Sequence, residues 1–485
     1  MRIKELFNRA GINAEIAGDF EVKGISCNSK HILDGFIFIA VRGASRDGHD
    51  FVEEAVKKGA KAVISQQSSV NSQQQKSVPV ILVKDSRRAL INLAKEFYGN
   101  PSEKIKVIGI TGTNGKTTVS YIIEALLKEA GFIPAVLGTI NYRFKDVEIP
   151  SWNTTPGVLD LQAMLADMSG QGVNYAVMEV SSHAAEQERI EGIKFHSAIF
   201  TNLTQDHLDY HQTIENYFNA KARLFKSLAS PAFAVVNIDD QYGLRLKGLI
   251  PVKTVTYGIE SSASVKARDI RFDIAHTEFT LESDGLEFKF TTPLVGRHNV
   301  YNILAAVAWA KEAGIDFKII VAGIKKFGFV PGRLERINAD SGFNVFVDYA
   351  HTQDALYNVI TTLRELSPAR LIVVFGCGGE RDKDKRPKMG RVVSELADYS
   401  IITSDNPRSE DPEDIVADIK KGINKDNYCV VLDRRQAIKM ALALAKKGDT
   451  VLLAGKGHEN YQVMKDKILH FDDREVAREC LKSIN

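Results

Sequence analysis

Residues 111–118 (TGTNGKTT) have the composition of a phosphate-binding loop between a buried strand and a helix. The preceding residues 104–110 are mostly apolar, and the residues that follow repeat apolar side chains at helical spacing. Glycines let backbone N–H groups approach phosphate oxygens, and a helix N-terminus adds positive partial charge. Lys116 can then reach the β- and γ-phosphates, and the Thr117 hydroxyl can bind Mg²⁺. Strict Walker spacing requires glycine at Ile110, so this is a shorter GxxGKT variant, with a simple Gly/Thr turn as the alternative.

Acidic and histidine residues follow the next apolar runs. Glu179 comes directly after residues 175–178, where a carboxylate beside the phosphates can hold a metal directly or through water. Two Asp and two His residues occur within residues 206–211, and Lys221 lies on a predicted helix. An exposed glutamate, a solvated polar loop and a surface lysine are the alternatives for these three features.

The C-terminal third of the chain contains four polar clusters, each after an apolar run. They are residues 348–351 (DYAH), 376–381 (GCGGER), 405–408 (DNPR) and 455–459 (GKGHE). Ligands of doubly wound sheets bind beyond the carboxyl ends of the strands. Any single cluster is explained by a turn between strand and helix, but four together predict a binding edge.

Parallel sheets are needed to position these motifs. The alternation of strand and helix patterns along the chain predicts such sheets. A chain of 485 residues is long enough for about three domains. Breaks at Asn100-Pro101 and at residues 330–332 predict a small mixed α/β domain at 1–100. A central parallel-sheet ATPase domain with the phosphate loop follows at 101–331, and a doubly wound, Rossmann-like domain at 332–485.

Composition excludes several classes of protein. Hydrophobic residues make up 44% and charged residues 26%, and 63 Lys+Arg against 61 Asp+Glu leave a net charge of +2. This balance excludes a nucleic-acid binder that depends on a basic excess. The four cysteines are far apart, as expected in a reducing cytosol, and no apolar run approaches the roughly 20 residues of a membrane span. We therefore expect a soluble cytoplasmic protein without a membrane span.

Taken together, the motifs resemble the Mur ligase family, the ATP-dependent amide-forming enzymes of peptidoglycan synthesis. The resemblance covers the whole chain, and its motifs occur in family order: GTNGKTT, MEVSSHA, FTNLTQDHLDYH, YFNAKARLF, GRHNVYN, PGRLE, DYAHT, SDNPR and GKGHE. Within the family the chain is most similar to the ligases that add the third residue of the stem peptide to UDP-N-acetylmuramoyl-L-Ala-D-Glu. The resemblance implies a monomer that makes cell-wall precursors in the cytoplasm and thereby serves cell shape and division.

The resemblance also implies roles for individual residues. The catalytic group would be Lys116, Glu179, His207 and Lys221, with one Mg²⁺ on Thr117 and Glu179 and a second on His207 and Lys221, the lysine being carbamylated by CO₂. The ATP site would contain Gly112, Thr113, Asn114, Gly115, Lys116, Thr117, Thr118, His298, Asn302, Arg333 and Asp348. The UDP substrate would contact Ser29, Asn153, Thr154, Thr155, Ser181, Gln187 and Arg189. The incoming amino acid would contact Arg381, Asp405, Asn406, Pro407, Arg408, Gly455 and Glu459.

In the family's reaction, ATP phosphorylates the γ-carboxylate of D-Glu, and the amine of the amino acid displaces phosphate from the acyl phosphate. Members with DNPR use meso-diaminopimelate, because the arginine pairs with its far carboxylate. A site built for such a contact rejects lysine, which lacks that carboxylate, by roughly 10⁴. The resemblance therefore implies meso-diaminopimelate. One departure is Thr352-Gln353-Asp354, where many relatives have proline in place of Gln353; it removes no expected ligand.

Other functions remain open from the sequence. A lysine-adding ligase of the same architecture is the nearest, and a folylpolyglutamate synthase is disfavoured by the MEVSSHA and DNPR segments. A P-loop regulatory NTPase explains the phosphate loop and Glu179 but leaves the C-terminal edge without a role. A module that only binds ligands explains the predicted metal residues least well.

Overall fold

The structure, a computed structural model, describes residues 1–16, 18–43, 46–67, 78–337 and 342–484. The chain forms two compact units. The first consists of Met1–Ile108, Phe132–Leu137 and Tyr142–His196, and the second of Gly109–Gly131, Gly138–Asn141 and Ser197–Asn485. Within the described ranges, every helix is too short or too polar to cross a membrane.

Regular elements follow the predicted alternation along most of the chain. The strands are β1 (Gly24–Ser26), β2 (Phe36–Ile39), β3 (Ala62–Ser65), β4 (Val80–Leu82), β5 (Lys106–Thr111), β6 (Pro134–Leu137), β7 (Asn141–Phe144), β8 (Val147–Pro150), β9 (Tyr175–Glu179), β10 (Phe195–Phe200), β11 (Phe233–Asn237), β12 (Lys253–Gly258), β13 (Val265–Phe272), β14 (Thr277–Ser283), β15 (Leu286–Thr292), β16 (Glu335–Ile337), β17 (Asn344–Asp348), β18 (Leu371–Phe375), β19 (Tyr399–Ile402), β20 (Tyr428–Val430), β21 (Thr450–Ala454), β22 (Tyr461–Met464) and β23 (Lys467–His470). The helices are α1 (Ile3–Arg9), α2 (Val52–Lys57), α3 (Ser86–Phe97), α4 (Lys116–Glu129), α5 (Val158–Gly170), α6 (Ser182–Glu186), α7 (Leu208–His211), α8 (Ile214–Lys226), α9 (Gln241–Lys247), α10 (Arg297–Glu312), α11 (Phe317–Lys326), α12 (Gln353–Glu365), α13 (Lys385–Leu396), α14 (Pro412–Lys420), α15 (Arg434–Leu444) and α16 (Asp473–Ile484).

The first unit contains a parallel sheet in the order β1-β2-β3-β4. Ile37 and Ile39 pack on the side of α1 and α3, whereas Phe38 packs with Val52 of α2 on the other side. Both faces of this sheet are therefore covered, which explains why its strands read as continuous apolar runs. In the same unit, β6 pairs parallel with β9 and antiparallel with β7.

In the second unit, β10, β11 and β12 are parallel neighbours, and β5 lies beside β10 through a bond from Thr201 N to Thr111 O of 3.0 Å. Helix α4 buries the apolar side chains of its predicted face, Ile122, Ile123 and Leu126 among them. The sheet continues into β13, β14 and β15, which pair antiparallel with one another. The central sheet is therefore mixed, and these antiparallel strands are an addition to the parallel sheet that was predicted.

The C-terminal sheet, also in the second unit, has the strand order β16-β17-β21-β18-β19-β20. All pairs are parallel except β16 with β17. Alternate residues of β18 pack into two cores, Val373 and Phe375 with helices α12 to α14, Ile372 and Val374 with α15 and α16. This doubly wound architecture confirms the predicted fold. It also brings the carboxyl ends of β17, β18, β19 and β21 to one edge.

Candidate functional site

The phosphate loop connects β5 to α4, and its glycines are required by close contacts. Gly112 and Gly115 have φ of 147° and 88°. A Cβ on Gly112 would lie 1.9 Å from Thr201 Oγ1, and one on Gly115 would lie 2.3 Å from Asn302 Oδ1. The loop is held to the end of β10 because the Asn114 amide donates to Asn202 Oδ1 at 3.0 Å. The predicted loop is thus a rigid turn between strand and helix.

Two lysines converge on this loop. Lys116 Nζ donates to the carbonyls of Gly112 and Thr113 at 2.9 and 2.8 Å, and Lys221 Nζ donates to Gly112 O at 2.8 Å. Lys221 is 2% exposed, with its Nζ 4.5 Å from the centre of the Tyr217 ring. Burial and the charge of Lys116 lower the pKa of Lys221 well below its usual value, although Asp206 acts in the opposite direction. The surface-lysine alternative is therefore excluded.

The acidic and histidine cluster divides between the interior and the solvent. His207 adopts a left-handed conformation (φ 53°) at the start of α7, and its side chain is 45% exposed, with Nε2 3.5 Å from Asp206 Oδ2. Burial opposes ionisation of Asp206, but the charges of His207, His351 and Lys385 hold its pKa below the usual value. His211 is buried and Asp209 is exposed. In the part of the chain that is described, no three His, Cys, Asp or Glu side chains form a ready-made metal cluster.

Two of the residues expected at the nucleotide, Arg333 and Asn302, lie against the same loop. Arg333 Nη2 donates to Thr117 Oγ1 at 3.3 Å, and its guanidinium lies 4.4 Å from the centre of the Tyr349 ring. Asp348 accepts bonds from the Leu334 and Ala350 amides, and burial raises its pKa although Arg333 opposes this. Asn302 approaches Gly115 as described above. His298 Nδ1 lies 3.3 Å from Thr362 Oγ1, and burial lowers its pKa to about 4.

In the first unit, several residues expected at the UDP substrate form one hydrogen-bonded group. Thr155 Oγ1 donates to the backbone oxygen of Glu179 at 2.8 Å and accepts from the Ser181 amide at 3.1 Å. Arg189 Nη1 donates to Thr155 O at 3.3 Å, and its Nε donates to Gln187 Oε1 at 3.0 Å. The Glu179 side chain is itself buried, at 1% exposure. This group ties the end of β9 to the start of α6.

Other members of the expected UDP set have separate partners. Asn153 O accepts bonds from Tyr142 and from Ser151 Oγ, the latter at 2.9 Å, and Thr154 is half-buried beside it. Ser29 Oγ donates to Glu54 Oε2 at 2.7 Å. Arg87 was not expected from the sequence, yet its guanidinium donates to Gln187 O at 3.2 Å and to Arg42 O at 3.1 Å. No motif surrounds Arg87, so the sequence carried no signal for it.

The loops at the edge of the C-terminal sheet contact one another directly. Arg408 Nη1 donates to Gly379 O at 2.6 Å, and Asn406 Nδ2 donates to Glu459 Oε2 at 2.9 Å. Gly455 follows β21 with a φ of 112°. It lies close to the Asp405 carboxylate, since a Cβ on Gly455 would be 3.6 Å from Asp405 Oδ2. Pro407 is buried, whereas Arg381 is exposed. The structure therefore brings the expected amino-acid-binding loops together.

Lys456, a residue that the expected site omitted, joins the polar residues of these loops. Its Nζ is wholly buried and lies 3.5 Å from Asp405 Oδ1, 3.2 Å from Asn406 Oδ1 and 3.2 Å from Glu459 Oε2. The signal in the sequence that could have identified Lys456 was its position inside the GKGHE segment. Buried cations are stable where several acceptors surround them, as here.

Asp354 is a second residue that the expected site omitted. Its Oδ2 accepts from Asn114 Nδ2 at 2.8 Å and from Thr204 Oγ1 at 3.0 Å, so it joins the phosphate loop to the start of α12. Thr352 caps this helix by accepting from the Ala355 amide at 3.2 Å, and Gln353 is exposed. A cavity of about 280 Å³ opens beside them; it is lined by Thr204, Gln205, Asp206, Thr352, Gln353, Asp354, Tyr357, Asp382, Lys385 and Lys388.

Comparison with known proteins identifies related chains. Residues 21–98 match the family described as "Mur ligase family, catalytic domain", residues 110–310 the "Mur ligase middle domain", and residues 332–457 the "Mur ligase, glutamate ligase domain". The chain is 45% identical to the UDP-N-acetylmuramoyl-L-alanyl-D-glutamate--2,6-diaminopimelate ligase of Clostridium tetani, with 100% of each covered. A solved structure of a ligase with that name aligns with a TM-score of 0.71 and 35% identity, over 100% of this chain and 99% of the other. The MurF ligase of Thermotoga maritima in complex with ADP shares the fold, at a TM-score of 0.63 and 22% identity over 95% and 97% of the two chains.

Proposed function

The chain belongs to the Mur ligase family, and from that premise we propose that it joins 2,6-diaminopimelate to UDP-N-acetylmuramoyl-L-Ala-D-Glu at the expense of ATP. The observation that carries this proposal is the full-length similarity to a ligase of that name, at 45% identity. The phosphate loop and the edge formed by residues 376–381, 405–408 and 455–459 supply the two sites that such a reaction needs. The product would serve peptidoglycan synthesis in the cytoplasm.

The reaction proceeds in two steps. The γ-carboxylate of D-Glu attacks the γ-phosphorus of ATP, which releases ADP and leaves an acyl phosphate. The uncharged amine of diaminopimelate then attacks the acyl carbon, phosphate departs with the bonding electrons, and the amine loses a proton. Lys116 and the N–H groups of residues 112–118 hold the phosphates and offset their charge. Asn302 and His298 contact the adenine, while Arg333 and Asp348 hold phosphate and ribose.

The residues at the phosphate loop suit Mg²⁺, which prefers oxygen ligands and binds with few protein groups when phosphates complete its shell. Thr117 would supply a hydroxyl to one ion, and His207 with Lys221 would hold a second. When bound, the metal ions neutralise charge on the phosphoryl group that is transferred. The low pKa of Lys221 leaves a larger fraction of its amine uncharged, which is the form that reacts with CO₂ to give a carbamate.

The amino acid binds at the C-terminal edge in this proposal. Asp405, Asn406 and Glu459 face a common position next to Lys456 and Gly455. Arg408 lies beside the loop that carries Arg381, because its Nη1 donates to Gly379 O. The two guanidinium groups pair with the far carboxylate of meso-diaminopimelate, and L-lysine would leave them without an anion.

The remaining parts of the proposal concern organisation. The UDP substrate binds at Ser29, Asn153, Thr154, Thr155, Ser181, Gln187 and Arg189. The three domains are 1–100 for this substrate, 101–331 for ATP and 332–485 for the amino acid. We propose a monomer.

Phosphate release tests the proposal in assays that contain ATP, Mg²⁺, the UDP-dipeptide substrate and either meso-diaminopimelate or L-lysine. Turnover that needs both the dipeptide and meso-diaminopimelate is the expected result. Preference for L-lysine would keep the ligase and reject the role of Arg408. Nucleotide hydrolysis without either co-substrate would favour a regulatory P-loop NTPase instead.

A further inference from the structure

Two loops of the C-terminal sheet adopt strained conformations next to the arginines that face the amino acid. Glu380 and Arg408 both have left-handed backbones, with φ of 52° and 55°. Such a conformation is disfavoured for a residue with a side chain, so surrounding contacts must hold it. The strain lies at Arg408 itself and immediately before Arg381.

The two loops approach so closely that their backbones bond directly. The Gly379 amide donates to Asn406 O at 2.9 Å, and a Cβ on Gly379 would lie 1.9 Å from Pro407 O. Arg408 adds the bond from its Nη1 to Gly379 O. The relative position of the two loops is therefore set at backbone level.

A pair formed by the partly exposed carboxylate of Glu410 and the buried guanidinium of Arg386 lies behind this contact. Glu410 Oε1 accepts from the Glu380 amide at 2.5 Å and from Arg386 Nη2 at 3.0 Å, and its Oε2 accepts from Arg386 Nη1 at 3.0 Å. Arg386, on α13, is wholly buried and also donates to Gly378 O at 3.3 Å and to Asp418 on α14 at 3.0 Å. The bonds from Arg386 and Glu380 lower the pKa of Glu410 to about 2, so this acceptor is charged at neutral pH.

We propose that Glu410 and Arg386 are positioning residues that fix the spacing of Arg381 and Arg408, and so set the affinity for the far carboxylate of the amino acid without touching it. Glu410 bonds the backbone of the loop that carries Arg381 and lies two residues after Arg408. Arg386 anchors the same pair to α13 and α14. This inference rests on the function proposed above, and it adds Glu410 and Arg386 as residues that determine the specificity for the amino acid.

The test uses the full-length chain and the variants Glu410→Gln and Arg386→Lys, with Glu413→Gln as the matched control. Glu413 is exposed in the first turn of α14, three residues from Glu410. Glu410→Gln keeps the size of the side chain but places an amide N–H₂ against N–H donors. Arg386→Lys keeps the charge but loses the two-pronged bond to Glu410.

We expect either variant to raise the KM for diaminopimelate by roughly tenfold to a hundredfold, as for the loss of a charged hydrogen bond at a ligand site. The KM values for ATP and the UDP-dipeptide, the kcat and the melting temperature should change little in Glu410→Gln. The preference for diaminopimelate over L-lysine should fall in parallel. Because both substitutions break the same Glu410–Arg386 pair, the KM for diaminopimelate of the double variant should not exceed that of the more affected single variant.

An unchanged KM for diaminopimelate in Glu410→Gln would overturn the proposal, as would an equal rise in all three KM values with a lower melting temperature. The second result would mean that the pair serves only the stability of the domain. Should Arg386→Lys not fold, Glu410→Gln alone decides. Failure of the wild-type chain to use diaminopimelate would instead reject the proposed function, and this inference with it.

Discussion

Two lysines donate to a single backbone carbonyl, that of Gly112, at 2.9 and 2.8 Å. Two ammonium groups so close repel each other, and only one of them, Lys221, is entirely withdrawn from water. Lys116 is half-buried, whereas Lys221 is buried and its pKa is lowered, so its proton is lost more easily than that of an ordinary lysine. The difference between the two lysines comes from burial and not from any difference in chemical type.

Replacement of Lys116 by alanine should lower kcat by about 10²–10³, because a charged donor to the transferring phosphoryl group is lost. Phosphate release under saturating substrates measures the effect. Lys128→Ala is the control, since Lys128 lies on the same helix with an exposed side chain that pairs with Glu124. Equal activity in the two variants would contradict a role of Lys116 in catalysis.

Replacement of Lys221 by arginine should abolish most of the activity, by about 10²-fold or more, since arginine retains its charge and cannot become a carbamate. With ¹³C-labelled bicarbonate, the wild-type chain should show a carbamate carbon signal in NMR spectra that Lys221→Arg lacks. A fully active Lys221→Arg variant would rule out a need for the carbamate. Lys226→Ala, at the end of the same helix, is the matched control.

At the scale of elements, short loops after parallel strands determine where the functional groups lie. Residues 376–381 follow β18 and residues 405–408 follow β19, and the parallel pairing of these strands brings the loops side by side. Glycine is required at 379, where the carbonyl of Pro407 occupies the space that a Cβ would need. The edge of the C-terminal sheet thus depends on backbone fit as much as on charged side chains.

Gly379→Ala should raise the KM for diaminopimelate and destabilise the protein by about 1–3 kcal/mol, as overpacking does. Thermal melting and substrate kinetics measure the two effects. Gly170→Ala is the comparison, because Gly170 ends α5 with open space around its Cβ position. That control should be neutral or slightly stabilising, and the same result for Gly379→Ala would show that the loops tolerate a shift.

At the scale of the whole molecule, the second unit joins the phosphate loop to the C-terminal sheet through a few polar contacts. Asp354 binds Asn114 and Thr204, and Arg333 binds Thr117. Burial raises the pKa of Asp354, which its hydrogen bonds from Thr204 and Asn114 partly offset. These contacts link the residues that we propose to hold ATP to the sheet that we propose to hold the amino acid.

Asp354→Ala should lower kcat by roughly 10–100-fold while the melting temperature changes little, since Asn114 and Thr204 lose a charged acceptor that orients them. The matched control is Gln353→Ala at the neighbouring exposed position. Steady-state kinetics at saturating ATP, dipeptide and diaminopimelate compare the kcat values of the two variants. If both variants behave like wild type, the contact has no part in the reaction.

The half-buried His458 should make the protein sensitive to mild acid. Burial, with Arg333 and Arg474 nearby, lowers its pKa from 6.5 to about 3, so the folded state keeps it neutral. Above pH 6.5 His458 is neutral in both the folded and the unfolded state, so the free energy of unfolding keeps its full value. As the pH falls from 6.5 towards 3, only the unfolded chain gains the proton, and the free energy of unfolding decreases. At pH 5 this amounts to about 2 kcal/mol.

His458→Asn should therefore lose less stability than wild type between pH 7.5 and pH 5. Melting temperatures at the two pH values measure this, with His470→Asn on the exposed strand β23 as the control. A pH dependence identical in wild type and His458→Asn would mean that His458 is protonated in the folded state.

Several features were predictable from the sequence because they depend on residues close together in the chain. The spacing of apolar residues predicted β5, α4 and the alternating elements of the C-terminal sheet, and the motif order indicated the family that the comparisons confirm. The glycines of the phosphate loop were recognisable because a tight turn between strand and helix leaves few other residues possible. The antiparallel strands β13 to β15 were missed because half-exposed strands lack a continuous apolar run.

Only the tertiary structure decided which polar groups meet. The sequence singled out Lys221 only through the family resemblance and gave Lys456 and Asp354 no role. Each of the three acquires its character from partners far away in the chain, at Gly112, Asp405 and Asn114. The strain at Glu380 and Arg408 and the pair that holds it, Glu410 with Arg386, were equally invisible. The physical reason is that burial and hydrogen bonding depend on distance in space, whereas sequence patterns record only neighbours along the chain.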